Sequence, residues 1–202
     1  MDGGTLAALV VFAVVMSVTP GPNNVMLLAS GLNFGVRRTV PHMLGITAGV
    51  TVMLAAVGLG LSGLFHAVPA LLLALKWAGA AYMLWLAWRI ANAAPADADG
   101  PAPASQGRPM PALAAAAFQW VNPKAWVMAV TAMATYGGAG SLGAVLVVAG
   151  VFGLVSVPST AAWAVFGAAL RRVLSDPRHV RLFNWAMAAL LVLSLWPLVA
   201  GL

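Results

Sequence analysis

Cysteine is absent from the 202 residues, charged side chains make up only 7% of them, and there are just four acids, Asp2, Asp97, Asp99 and Asp176. The missing cysteine excludes disulfides, thiol redox chemistry and thiolate metal sites, and leaves the compartment open on that count. The shortage of charge excludes an ordinary soluble domain, which is about 25% charged and 45–50% apolar. Here 62% of residues are hydrophobic and the mean hydropathy is +0.97. No long apolar run contains Asp or Glu, which counts against a carboxylate proton relay and against a site for a hard divalent cation. The chain therefore reads as an integral membrane protein with no metal and no cofactor.

What is present is a series of apolar runs. At about 20 residues per helical span, the chain has room for six helices and little else. The fold class expected is all-α and polytopic, in one membrane domain over residues 1–202, with helices near 5–30, 40–64, 70–90, 112–136, 142–170 and 182–199. Residues 91–111 hold five of the thirteen prolines and two of the four acids, and read as the one linker of any length, a mobile one. The start, Met1-Asp2-Gly3-Gly4, has no basic segment and the run behind it is long for a signal peptide, so the first span is expected to be retained.

The net charge of +6 does not point to nucleic acid, because the basic residues stand singly or in small clusters between apolar runs. Arg37, Arg38, Arg89, Arg108, Arg171, Arg172, Arg178 and Arg181 all fall in the first, third and fifth connections or the adjoining helix ends. By the positive-inside rule those connections are cytoplasmic and both termini lie outside. Trp77, Trp85, Trp88, Trp163, Trp185 and Trp196 fall near span ends, where indole rings either anchor at the headgroups or simply pack. The linker divides the chain into repeat one, 1–90, and repeat two, 112–202. Three spans in each make the second set enter the membrane from the opposite side, an inverted 3+3 repeat.

Two runs are interrupted. Thr19-Pro20-Gly21-Pro22-Asn23-Asn24 sits inside the first, and Gln119-Trp120-Val121-Asn122-Pro123-Lys124 inside the fourth. Two prolines around a glycine cannot continue a regular helix, and unpaired backbone groups are tolerated at membrane depth only where they are buried in protein or line a polar cavity. The breaks thus predict broken helices one and four and one shared site. Carbonyls freed near residues 15–17 suit an ammonium, and the half-helix start at Asn23 and Asn24 suits a carboxylate. The alternative is a proline kink satisfied by a neighbouring helix. Lys124, near mid-span, has two readings: it binds a carboxylate or releases a proton and couples transport to the gradient, or it locks the break by bonding carbonyls released by Pro123. Lys76 is placed to snorkel outward. His42, beside the cytoplasmic arginines, is either a proton relay or a wet interfacial residue. Ser156, Ser159, Thr160, Thr47 and Thr51 either line a pathway or bond back to their own helices. Gly45 and Gly49, four apart, let another helix approach closely. A further interruption is expected at Val157-Pro158-Ser159-Thr160.

The run Thr19-Pro20-Gly21-Pro22-Asn23, with Ala29-Ser30-Gly31, Gly35, Pro41-His42, Gly45, Lys76, Ala78-Gly79-Ala80-Ala81-Tyr82 and Asn122-Pro123-Lys124-Ala125, resembles the LysE/RhtB family of amino-acid exporters over most of the chain. The resemblance implies a bacterial inner-membrane exporter of amino acids or close derivatives driven by the proton gradient. It marks Pro20, Gly21, Pro22, Asn23, Asn122, Pro123 and Lys124 as signature residues. Many relatives carry an acid just after the glycine of helix two, where this chain has Val50 after Gly49. That departure bears on proton coupling and points away from cationic amino acids.

The reading is an exporter of small neutral amino acids working by alternating access. Pro20, Gly21, Pro22, Asn23, Asn24, Asn122, Pro123 and Lys124 hold the substrate, with Lys124, Lys76 and His42 available for coupling. Its partners are the amino acid, membrane lipid, protons and a second copy of the chain. An intramembrane enzyme would need a nucleophile with a base or a metal set, and all three histidines, His42, His66 and His179, lie at span ends. The competing reading is a non-transporting membrane subunit of a larger complex.

Overall fold

The computed structural model describes residues 1–61, 69–93, 108–138, 141–174 and 176–196. The end of the expected second helix (62–64), the connection after it as far as residue 68, most of the proline-rich linker (94–107), part of the connection between the fourth and fifth helices (139–140) and the end of the last span (197–199) lie outside the described residues. Among the described residues all regular structure is helical: α1 (Gly3–Val18), α2 (Pro22–Ala56) running into a single π turn (Val57–Leu61), α3 (Pro69–Ala91), α4 (Ala112–Phe118), a 3-10 turn (Gln119–Val121), α5 (Pro123–Tyr136), α6 (Leu142–Val173) and α7 (Pro177–Leu193).

Both described acids start helices. Asp2 accepts from Thr5 N–H at 2.8 Å and caps α1, which holds its carboxyl below the usual range, and Asp176 accepts from Arg178 N–H at 2.8 Å and caps α7. A carboxylate at a helix start satisfies an orphan donor and meets the positive end of the dipole. At both breaks proline restarts the helix: Pro22 and Pro123 occupy the first helical position, where the missing N–H would have had no partner anyway.

Two expected boundaries are corrected. A loop is expected over residues 31–39, but helix continues on both sides of Gly35, which has φ 75° and ψ 167°. Only glycine takes that φ without strain, so one residue separates the helical pieces 22–34 and 36–56. Thr39 ties this corner by donating to the Gly35 carbonyl at 2.8 Å and pairing with the Ser30 hydroxyl at 2.9 Å. The expected interruption at Pro158 does not occur. A proline removes one N–H, and α6, 32 residues long, runs through it.

Small residues set the packing. A Cβ on Gly31 would lie 2.1 Å from the Ala164 carbonyl oxygen, and one on Gly167 2.1 Å from that of Leu28, so α2 and α6 touch backbone to backbone. On the second piece of α2, a Cβ on Gly45 would lie 2.2 Å from the Ala112 carbonyl oxygen and one on Gly49 2.7 Å from Ala116 Cα, which puts α4 on that face. Leu27, Ile46, Met53, Met128 and Phe152 share one apolar core, and Met26, Met83, Phe118 and Leu191 a second. Asn33 and Asn184 exchange bonds of 2.9 and 3.1 Å inside the protein and join α2 to α7. Outward faces are apolar as well: Leu154 is 76% exposed and Leu182 69%. Such a surface suits lipid contact, and Pro22–Leu61 and Leu142–Arg171 are long and apolar enough to cross a membrane by length and composition. Trp77, Trp85, Trp88, Trp185 and Trp196 are exposed on it.

Candidate functional site

The two interruptions lie against each other. The Lys124 ammonium, from the start of α5, donates to the Thr19 carbonyl at the end of α1. The lysine stem covers Gly21, where a Cβ would lie 2.6 Å from Lys124 Cδ. Asn23, opening α2, and Gln119, closing α4, exchange amide bonds of 2.8 and 3.1 Å across 96 residues of sequence. Gln119 also donates to the Ala115 carbonyl at 2.9 Å.

The carbonyls freed at the end of α1 are engaged. Ser17 accepts from Asn24 Nδ2 at 3.0 Å and from the Ser159 hydroxyl at 2.9 Å. Thr19 accepts from Asn24 Nδ2 at 2.8 Å as well as from Lys124. Two donors fill the two lone pairs of a carbonyl oxygen, so among the carbonyls expected to hold an ammonium that of Ser17 is already taken by side chains, and that of Val15 accepts from both the N–H and the hydroxyl of Thr19. Lys124 does bond a backbone carbonyl at a break, but it is that of Thr19 at the first break, not one released by Pro123.

The half-helix start differs. Gly21, the cap of α2, offers no side chain, and Pro22 has no N–H. Val25 N–H bonds the Gly21 carbonyl at 3.0 Å, which leaves the N–H groups of Asn23 and Asn24 as the orphan donors of this helix. The second break has no such opening, because Asn122 accepts from Lys124 N–H at 3.1 Å and its carbonyl receives Ala125 and Trp126.

These groups surround a cavity of about 50 Å³ lined by Ser17, Gly21, Asn23, Asn24, Asn122 and Lys124 from the two breaks, by Ile46 and Val50 of α2, Met128 of α5, and Ser156, Ser159 and Thr160 of α6. A space of that size holds one or a few waters and no amino acid. Among the described residues no Asp or Glu lies on its walls. Pro20, Pro22 and Pro123 shape the walls without lining them: Pro20 is exposed, Pro22 buried and Pro123 half-buried.

Of the other candidates, Ser159 reaches across to α1 and Ser156 pairs with Thr47 at 3.1 Å, whereas Thr160 and Thr51 bond back to carbonyls of their own helices. Lys76 and His42 are not part of this cavity. Lys76 lies half-buried with its ammonium 5.9 Å from the Trp77 ring. His42 is not a wet interfacial residue: it is 2% exposed and borders a different space. Gln119 is the residue that the sequence reading did not single out, although an amide inside an apolar run is itself a signal.

The Asn23–Gln119 exchange supports a direct test. Either alanine substitution strips the partner amide of its bonds across the break in a low-dielectric setting, at about 1–3 kcal/mol; Gln119 keeps its bond to the Ala115 carbonyl. A double-mutant cycle on the thermal midpoint of the detergent-solubilised protein is expected to give a coupling of about 1–2 kcal/mol; additive losses would show that the two amides act independently.

The family model described as LysE type translocator matches residues 14–194. The chain is 33% identical over 190 residues to the cysteine/O-acetylserine efflux proteins of Escherichia coli (strain K12) and Shigella sonnei (strain Ss046), covering 93% of this chain and 93% of each relative. The corresponding protein of Escherichia coli O139:H28 (strain E24377A / ETEC) is 38% identical over 132 residues, 65% of either chain. No solved structure matches the chain. The chain belongs to the LysE type translocator family and is a membrane transporter, not an enzyme.

Proposed function

We propose that this protein exports small neutral amino acids or close derivatives across the bacterial inner membrane by alternating access, driven by the proton-motive force. The arrangement behind the proposal is six spans as an inverted 3+3 repeat, with repeat one over 1–90, repeat two over 112–202, the arginine-bearing connections in the cytoplasm and both termini outside. The single observation that carries it is the meeting of the two proline breaks, Lys124 against Thr19 and Asn23 against Gln119, around one polar cavity. Homologues named for cysteine and O-acetylserine efflux support the substrate class, since both molecules are small and carry an uncharged side chain.

Chemically, the Asn23 and Asn24 N–H groups and the Lys124 ammonium form a carboxylate pole. The hydroxyls of Ser156, Ser159 and Thr160 keep acceptor capacity for an ammonium group. Among the described residues no wall acid balances a cationic side chain, and Ile46, Val50, Met16 and Met128 offer apolar surface to a short one. The present 50 Å³ is a contracted form. Admitting cargo requires the Lys124–Thr19 bond to open and the breaks to part, which couples occupancy to the change of access. Proton movement has no membrane carboxylate here, which leaves Lys124, Lys76 and His42 as its carriers.

Uptake of labelled L-serine, L-cysteine and O-acetyl-L-serine into everted vesicles, and into liposomes holding only the purified protein, tests the reading. Accumulation of these and not of L-lysine, abolished by a protonophore, is expected. Transport by vesicles but not by the purified chain would favour a subunit of a larger complex. Transport that ignores the protonophore would remove the proton from the scheme.

A further inference from the structure

A second space, about 310 Å³, lies between the 26–34 stretch of α2, the end of α3 and residues 108–110. Its floor is His42, 2% exposed, with neither ring nitrogen hydrogen-bonded among the described residues. Burying an imidazole in that way forfeits the hydrogen bonds it made to water, a loss recovered when a polar guest fills the space. Around the mouth stand Arg89 and Arg108, both exposed and neither in an ion pair among the described residues; the Arg89 guanidinium sits 5.0 Å from the Trp85 ring, which orients it. Asn33 and Ser30 on the wall are already bonded, to Asn184 and Thr39. The demand for a ligand thus comes from the histidine and the two arginines.

This space and the central cavity share one element. Asn24 borders the first and Asn33 the second, and nine residues of helix place them roughly 13 Å apart along its axis. The arginines stand on the side assigned to the cytoplasm, from which an exporter draws its cargo. Guanidinium groups match a carboxylate in planar, two-bond fashion, and a neutral imidazole offers one donor and one acceptor. We infer that the cavity floored by His42 and rimmed by Arg89 and Arg108 is an entry vestibule that captures the carboxylate of the outbound amino acid before it reaches Lys124. The inference deepens the exporter reading by naming a second carboxylate station. A free amino acid is favoured over an anionic lipid headgroup because the histidine at the floor is almost fully enclosed, whereas a headgroup engages charge at the rim.

The absence of native cysteine makes thiol labelling a clean test. Ala93→Cys places one thiol on the vestibule wall, to be labelled with a maleimide in the full-length protein reconstituted in phosphatidylcholine. O-acetyl-L-serine at millimolar concentration is expected to slow labelling at least fivefold, its methyl ester to have no effect, and Arg89→Gln with Arg108→Gln to remove the protection. The double arginine variant is also expected to raise the export KM at least fivefold with kcat little changed, and His42→Leu to weaken protection that His42→Asn retains. Lys124→Met should keep the protection while losing export. Equal labelling with and without the amino acid, equal protection by the ester, or protection that follows added phosphatidylglycerol instead of the amino acid would overturn the vestibule. Export without protection would sink the vestibule alone; protection without export of any tested amino acid would sink the exporter reading alone.

Discussion

Lys124→Met is expected to lower export at least tenfold while leaving the protein folded and in the membrane. Methionine keeps much of the stem that lies on Gly21 and loses the ammonium that bonds the Thr19 carbonyl. A hydrogen bond to a charged group contributes about 1.5–3 kcal/mol, which at 1.4 kcal/mol per decade is roughly 10–150-fold. The loss should fall on transport because the proposed cycle gives the ammonium two alternative partners, the Thr19 carbonyl in the contracted cavity and the cargo carboxylate in the loaded one. Lys124→Arg is expected to recover little, since a guanidinium is wider than the space beside Gly21 allows. Initial export rates in vesicles, normalised to the amount of monodisperse protein, check both. Unchanged export by the methionine variant would reduce Lys124 to a dispensable brace.

The second large effect concerns stability. A Cβ at Gly31 or Gly167 meets the backbone carbonyl of the opposing helix at 2.1 Å, and no side-chain rotation can relieve that contact. Overpacking costs about 1–3 kcal/mol and sometimes more. Gly31→Ala and Gly167→Ala are therefore each expected to lower the thermal midpoint in detergent by roughly 5 °C, at about 2–4 °C per kcal/mol for a chain of this size, and the leucine variants to prevent accumulation of folded protein. Gly150 supplies the internal control. A Cβ there would meet nothing within 4 Å, so Gly150→Ala should hold or raise the midpoint through its better helix propensity. Equal effects at all three positions would mean that the α2–α6 contact does not govern stability. Gly21→Ala belongs to another class, because the atoms it meets are the movable end of Lys124; it should impair export more than folding.

The breaks were legible in the sequence because proline and glycine act locally: no partner is needed to know that Pro20-Gly21-Pro22 cannot propagate a helix. The small-residue faces of Gly45 and Gly49 were legible for the same reason, through helical spacing alone. What fills the breaks was not. That Ser17 and Thr19 carbonyls are satisfied by Asn24, Ser159 and Lys124 depends on the rotation of α6 and α5 about their axes, and the nearly uniform hydrophobicity of those helices carries little phase information. The Asn23–Gln119 pair is hidden likewise, since either amide alone fits a local role. Gly35 misled in the other direction: two arginines beside it read as a connection, while a single left-handed residue turned the chain and left both flanks helical. His42 read as interfacial from its neighbours in sequence, yet the helices packed around it leave it almost fully buried.

The proposed cycle requires the two broken helices to hold the cargo between them. A structure of the protein with O-acetyl-L-serine bound tests it most directly. The ligand carboxylate is expected within hydrogen-bond distance of the Asn23 or Asn24 N–H and of the Lys124 ammonium, with the Lys124–Thr19 bond broken and the cavity enlarged beyond 50 Å³. A ligand bound elsewhere while Lys124 still holds the Thr19 carbonyl would contradict it.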